Sequence, residues 1–271
     1  MGIHELLKDV ADEVRTDLRT NVEVIEVSSL AADRLYTEVP KWVKANDVVV
    51  VFADLKGSTK LNVDRYYTSS AKTYEAATGG LVQVLSDARF APDFMDIQGD
   101  GVYALFTGER RYQRALCAAV TTTSFSRDLV QQLKSNFGET FPDTGFKVGI
   151  ASGTLLGKRI GVRGTNEPVW AGHAVNFAAK CSQEGDAHQV VVTDPVWQQF
   201  ANNHYIRYSC GCPSGTSRDL WQHDLTSDRL PEGKQQVHVL TSSWCTEHGD
   251  EYCDQILAGA CRRPGFKGVA A

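Results

Sequence analysis

The sequence predicts an α+β protein in which helices pack on a mixed or antiparallel sheet. Three observations carry this prediction. Residues 47–54 hold the run Val48-Val49-Val50-Val51, a continuous β-branched stretch expected of a strand buried on both faces. Residues 93–98 and 101–107 flank Gly99-Asp100-Gly101 and read as a hairpin with glycines at the tight turn. The element order is strand, helix, strand, strand, helix, strand, helix, strand.

The elements follow from local pattern. Residues 4–19 carry Leu6, Leu7, Val10, Val14 and Leu18 at helical spacing, which predicts an amphipathic helix packed on its own domain or, alternatively, on a partner chain. Residues 66–89 place Tyr67, Ala71, Tyr74, Ala77, Leu81 and Leu85 on one helical stripe, and residues 110–136 form a long helix. Residues 145–152 read as a strand followed by a glycine-punctuated segment, 153–166. A helix is expected over 172–184, with Val175, Ala178 and Ala179 inward, and a strand over 188–193. Pro195 suits the first turn of a short helix. The chain divides into an N-terminal helical segment (1–45), a main domain (46–203) and a C-terminal Cys-containing appendage (204–271) with its own small core.

Composition narrows the function. Apolar residues at 42% and charged residues at 23% are ordinary for a globular chain, and a net charge of -5 argues against a partner held by nucleic-acid phosphates. No stretch approaches the ~18 apolar residues of a membrane span, and Met1–Glu5 opens no signal-peptide core. The expected compartment is the cytoplasm, where cysteines are free thiols or metal ligands.

Asp54 ends the first apolar run, in Phe52-Ala53-Asp54-Leu55-Lys56-Gly57-Ser58-Thr59, and Asp100 sits in the hairpin turn. Two carboxylates brought together at strand ends can hold two divalent cations, the requirement for in-line attack on a nucleoside triphosphate. Gly57 lets the backbone approach a phosphate, and Ser58 and Thr59 can cap the following segment. Acidic residues in glycine turns are also ordinary turn chemistry, so it is the pairing that is specific.

These motifs resemble the class III nucleotidyl cyclases, the adenylyl and guanylyl cyclase catalytic domain. The resemblance spans residues 46–202 and adds a third motif, Gly172-His173-Ala174-Val175-Asn176-Phe177-Ala178-Ala179-Lys180. It implies a ferredoxin-like fold and a homodimer with active sites at the interface. Asp54, Asp100 and the Leu55 carbonyl would hold two Mn²⁺ or Mg²⁺ ions, with Lys56, Gly57, Ser58 and Thr59 around the triphosphate. The partner chain would supply Asn176 for the ribose and Lys180 for the α-phosphate. Lys180 replaces the family's usual arginine, keeping charge but losing the bidentate fork. Lys234, in Pro231-Glu232-Gly233-Lys234, resembles the family's late lysine for the terminal phosphates.

Base choice departs from the familiar enzymes. Asp96 stands where an adenylyl cyclase carries lysine and a guanylyl cyclase glutamate, and Val169 replaces the second base-reading residue. An aspartate repels the acceptor N1 of adenine and suits an N–H donor such as uracil N3–H; cytosine N3 would face it badly. Trp170 either walls the base pocket or packs inward as core. These features resemble the pyrimidine cyclases of bacterial anti-phage (Pycsar) signalling, implying cyclic UMP or cyclic CMP as product and a downstream cyclic-nucleotide-binding effector; the N3–H argument favours UTP over CTP. Cytidylate or guanylate cyclase activity, or a non-catalytic nucleotide-sensing module, are the alternatives. Retention of both carboxylates favours the enzyme.

The tail concentrates Cys210, Cys212, Cys245, His248, Cys253 and Cys261. Four of the group Cys210, Cys212, Cys245, His248 and Cys253 could hold a structural Zn²⁺, although the spacing is not two Cys-x₂-Cys pairs and buried free cysteines are common. Cys117 and Cys181 read as core, and His173 as a surface or packing residue.

Overall fold

The β-branched run lies at the centre of a single large sheet in the computed structural model, which describes residues 1–36, 40–61, 67–161 and 166–266. In chain order the elements are α1 (Ile3–Arg19), β1 (Glu23–Glu26), β2 (Lys41–Leu55), α2 (Ser58–Leu61), α3 (Tyr67–Leu85), β3 (Phe94–Gln98), β4 (Gly101–Phe106), α4 (Arg111–Phe137), β5 (Phe146–Ile160), β6 (Glu167–Gly172), α5 (His173–Glu184), β7 (Val190–Thr193), α6 (Asp194–Trp197), α7 (His204–Arg207), β8 (Trp221–Thr226), β9 (Gln236–Leu240) and α8 (Gly249–Leu257).

The sheet runs β3-β4-β2-β5-β7-β9-β8, with β1 beside β2 and β6 beside β5. Its first four strands are antiparallel throughout, and α3 and α4 make the crossovers. This is the ferredoxin-like β-α-β-β-α-β arrangement; β7 extends it in parallel to β5.

Alternation along β2 explains why its sequence is apolar without a break. Val49, Val51, Ala53 and Leu55 join Ala77, Leu81 and Leu116 from α3 and α4 on one face. Val48 and Val50 join Ala174, Phe177, Ala178 and Cys181 of α5 on the other. Burial of each such valine contributes about 1.5–3 kcal/mol relative to an exposed one, so both helix layers are anchored by one strand.

Several expectations need correction. The helix at 4–19 forms, but α1 buries none of its residues, so it does not pack on its own domain. The expected start of the second helix at residue 66 lies outside the described residues, and α3 ends at Leu85. The strand expected to end at residue 152 runs on: β5 continues to Ile160 and pairs with an unexpected strand, β6. Residues 162–165 of that segment lie outside the described residues.

The C-terminal residues do not build a separate small core either. β9 pairs with β7, and Trp221, Leu240, Tyr252, Cys253 and Ile256 pack in the same core as α4. The open edge of β7 needed a strand, and the tail supplies it. Among the described residues no helix is long and apolar enough to cross a membrane.

Candidate active site

Register, not chain proximity, brings the two carboxylates together. Ala53 on β2 pairs with Val102 on β4, so the next rung sets Asp54 against Gly101 and the turn holding Asp100. Gly101 is required there. A Cβ on it would stand 2.8 Å from the Ala53 carbonyl oxygen and 3.6 Å from Asp54 Oδ1. Any side chain would lift the turn off β2 and part the acids.

Their charges are balanced unequally. Asp54 Oδ2 lies 3.2 Å from Lys147 Nζ, and Lys147 is its cross-strand partner on β5. Asp100 Oδ2 is buried without a hydrogen-bond partner. A buried carboxylate oxygen left unpaired is costly and is relieved by a cation, so these residues fit a divalent-metal site. The Leu55 side chain is 2% exposed in the core, leaving only its main-chain oxygen as a ligand. Lys147 was not foreseen; only the strand register reveals it.

The glycine turn after β2 is divided in its use. Gly57 adopts φ +70 and is exposed, Ser58 opens α2, and Thr59 is exposed. Lys56 is spent elsewhere: its ammonium lies 2.8 Å from Asp143 and 2.6 Å from Asp186. The Asp143 and Asp186 hydrogen bonds hold Lys56 above the usual lysine range, and Lys56 in turn holds Asp186 below the usual carboxylate range. Lys56 therefore braces the turn through Asp143 and Asp186.

The third motif opens α5. Asn176 is exposed and Lys180, one turn on, is half-buried. Lys180 Nζ lies 6.0 Å from the Phe177 ring centroid, and Lys234 Nζ lies 5.5 Å from the same centroid. His173 stacks on that ring at 5.3 Å, a packing role as expected.

Asp96 on β3 pairs across the hairpin with Tyr103. The Ile97 N–H donates to Asp96 Oδ1 at 2.9 Å, and the Tyr103 hydroxyl donates to Oδ2 at 3.4 Å. Burial, then the Asp96 charge, push Tyr103 above the usual phenol range, so it stays a donor; the nearby Trp170 N–H opposes this without finding a well-aligned acceptor. Trp170 packs inward, with its ring 5.1 Å from Phe94, and so braces the strand bearing Asp96 rather than standing free as a pocket wall. Val169, on the opposite face of β6, is 41% exposed.

Comparison with known proteins agrees with this geometry. The family model for the adenylate and guanylate cyclase catalytic domain matches residues 41–210. A uridylate cyclase of Micromonospora echinofusca is 44% identical over 97% of this chain and 87% of its own length. A second uridylate cyclase, from Propioniciclava tarda, is 42% identical over 95% of this chain and 85% of its own. Among solved structures, the adenylyl cyclase CyaB of P. aeruginosa superposes with a TM-score of 0.61 at 14% identity, covering 74% of this chain and 96% of that one. The guanylate cyclase domain of RhGC from Catenaria anguillulae, in complex with GTP, gives 0.55 at 15% identity, covering 74% and 98%. The family match over residues 41–210 and relatives 42–44% identical over nearly the whole chain leave one conclusion: the chain belongs to the adenylate and guanylate cyclase catalytic domain family.

Proposed function

We propose that this chain converts UTP to 3′,5′-cyclic UMP and pyrophosphate as a homodimer with active sites at the interface. The observation that carries the reading is Asp100 Oδ2, buried and unpaired on the turn that closes against Asp54. Asp54, Asp100 and the Leu55 carbonyl would hold two Mn²⁺ or Mg²⁺ ions, which lower the pKa of the ribose 3′-hydroxyl and offset triphosphate charge. The 3′-hydroxyl would pass its proton to solvent water, its oxygen would bond to the α-phosphorus, and the bond from that phosphorus to the bridging oxygen would break, releasing pyrophosphate.

The remaining work falls to side chains. Gly57, Ser58 and Thr59 border the phosphates from the same protomer as the carboxylates. Asn176 of the partner orients the ribose, while its Lys180 and Lys234 meet the α- and terminal phosphates. Asp96 accepts uracil N3–H, for which its carboxylate keeps free lone pairs beyond the Ile97 and Tyr103 bonds. Apolar Val169 leaves the adenine amino group unmatched. The names of the two relatives support uracil. The resemblance to anti-phage pyrimidine cyclases assigns the product to a second messenger read by a cyclic-nucleotide-binding effector.

The test is to incubate purified protein with equimolar ATP, GTP, CTP and UTP in Mn²⁺ or Mg²⁺ and separate the products by chromatography. Cyclic UMP with equimolar pyrophosphate is expected. A cyclic purine alone would refute the base assignment, and no cyclic product at all would leave the nucleotide-sensing alternative in its place.

A further inference from the structure

Away from the carboxylates, two loops of the C-terminal region meet at their sulfurs. Cys210 and Cys212 follow α7, and Cys245 and His248 lie between β9 and α8. One ligand atom from each of these four residues lies within 4.8 Å of all the others. His248 Nδ1 is 3.3 Å from Cys212 Sγ and 3.9 Å from Cys245 Sγ. Zn–S bonds of ~2.3 Å and Zn–N bonds of ~2.0 Å give tetrahedral edges of about 3.5 Å between sulfur and nitrogen and about 3.8 Å between sulfurs. The group therefore needs only a small contraction to close on an ion.

We propose that Cys210, Cys212, Cys245 and His248 form a structural Zn²⁺ site that ties the loop after α7 to the turn before α8. Each loop supplies a chelating pair, Cys-x-Cys and Cys-x₂-His, so the lack of two Cys-x₂-Cys pairs is no obstacle. Three sulfurs and one imidazole select zinc over the hard cations used by the carboxylates. Four protein ligands leave no open position, so the role is structural.

Cys253, the fifth residue of the sequence-level group, is excluded because it is buried beside Cys117. On binding, each cysteine releases its proton to solvent. The Cys212 thiol now donates to Glu247 Oε2 at 3.2 Å, and that carboxylate offers the proton a route out.

The site ties the loop after α7 to the segment that follows β9, the strand paired with β7. Zinc loss is expected to loosen the C-terminal region while leaving the carboxylate turn in place.

The experiment measures zinc by elemental analysis on full-length protein expressed in zinc-supplemented medium and stripped of loosely bound metal. One zinc per chain is expected, lost in Cys212→Ser and Cys245→Ser and kept in Cys261→Ser. It is also kept in Asp54→Ala, which separates this site from the catalytic one. In case the serine variants misfold, Co²⁺ exchanged into the wild-type chain should give the absorption of a tetrahedral thiolate complex. Zinc-free protein that takes up neither ion with all seven cysteines reduced, or a mass two hydrogens short from a disulfide among these thiols, overturns the proposal.

Discussion

Lys180 and Lys234 come from elements far apart in the chain yet meet over one ring, their Nζ atoms 6.0 and 5.5 Å from the Phe177 centroid. The ring's negative face attracts each cation. Two cations gathered on one aromatic side chain suit a ligand of several negative charges. This convergence gives Lys234 a physical place beside Lys180 that its short sequence match could not.

The first prediction concerns this pair. Each phosphate contact is charge-assisted, so removing one costs about 1.5–3 kcal/mol, roughly a 10- to 100-fold loss in kcat/KM. Lys180→Ala should lower kcat, because charge on the α-phosphate grows in the transition state. Lys234→Ala should raise KM for UTP. Steady-state kinetics check the split. Changes below about twofold in both variants contradict an anion-binding role.

A second prediction follows from the unpaired Asp100 oxygen. Mn²⁺ at ~100 times its Kd should stabilise the wild-type chain by about 2.7 kcal/mol. Thermal melting with and without the ion reads this as a rise in Tm. In Asp100→Asn the rise should shrink strongly and turnover should be lost. An undiminished rise places the ion elsewhere.

The third prediction addresses Lys147, which pairs with Asp54 at 3.2 Å. Lysine and metal ion compete for the same carboxylate. Lys147→Met should therefore lower the Mn²⁺ concentration for half-maximal rate by about 2- to 5-fold, an effect within the ~1 kcal/mol of a partly exposed ion pair. Metal titrations of the rate decide it, and a weaker metal dependence sinks the competition argument.

Base selection gives the fourth prediction. Asp96→Asn keeps the shape but adds a donor that cytosine N3 can accept. The ratio of kcat/KM for UTP over CTP should fall by about tenfold or more, since a mispaired buried polar group is what discriminates. Competition assays with both nucleotides test this. An unchanged ratio removes Asp96 from base reading.

Much of this architecture was legible because burial on both faces writes an unbroken run in β2, and helices write their period. β5 was read short for a physical reason. Gly153 and Gly157 look like loop punctuation, yet both lie within β5, and Gly157 serves packing: a Cβ on it would stand 2.4 Å from the Trp170 ring. β6 was hidden by Pro168, tolerated on a strand off the main path of the sheet. β9, Gln236-Val237-His238-Val239-Leu240, carries a clear alternation that the neighbouring cysteines obscured. Asp54 and Asp100 were visible as types in turns. Lys147 opposite Asp54, and Lys234 beside Phe177, needed the register and the fold.

The most direct measurement counts Mn²⁺ bound per site by electron paramagnetic resonance, with a UTP analogue that cannot cyclise. The account predicts two ions in the wild-type chain and fewer in both Asp54→Asn and Asp100→Asn. Full occupancy in either folded variant would contradict it.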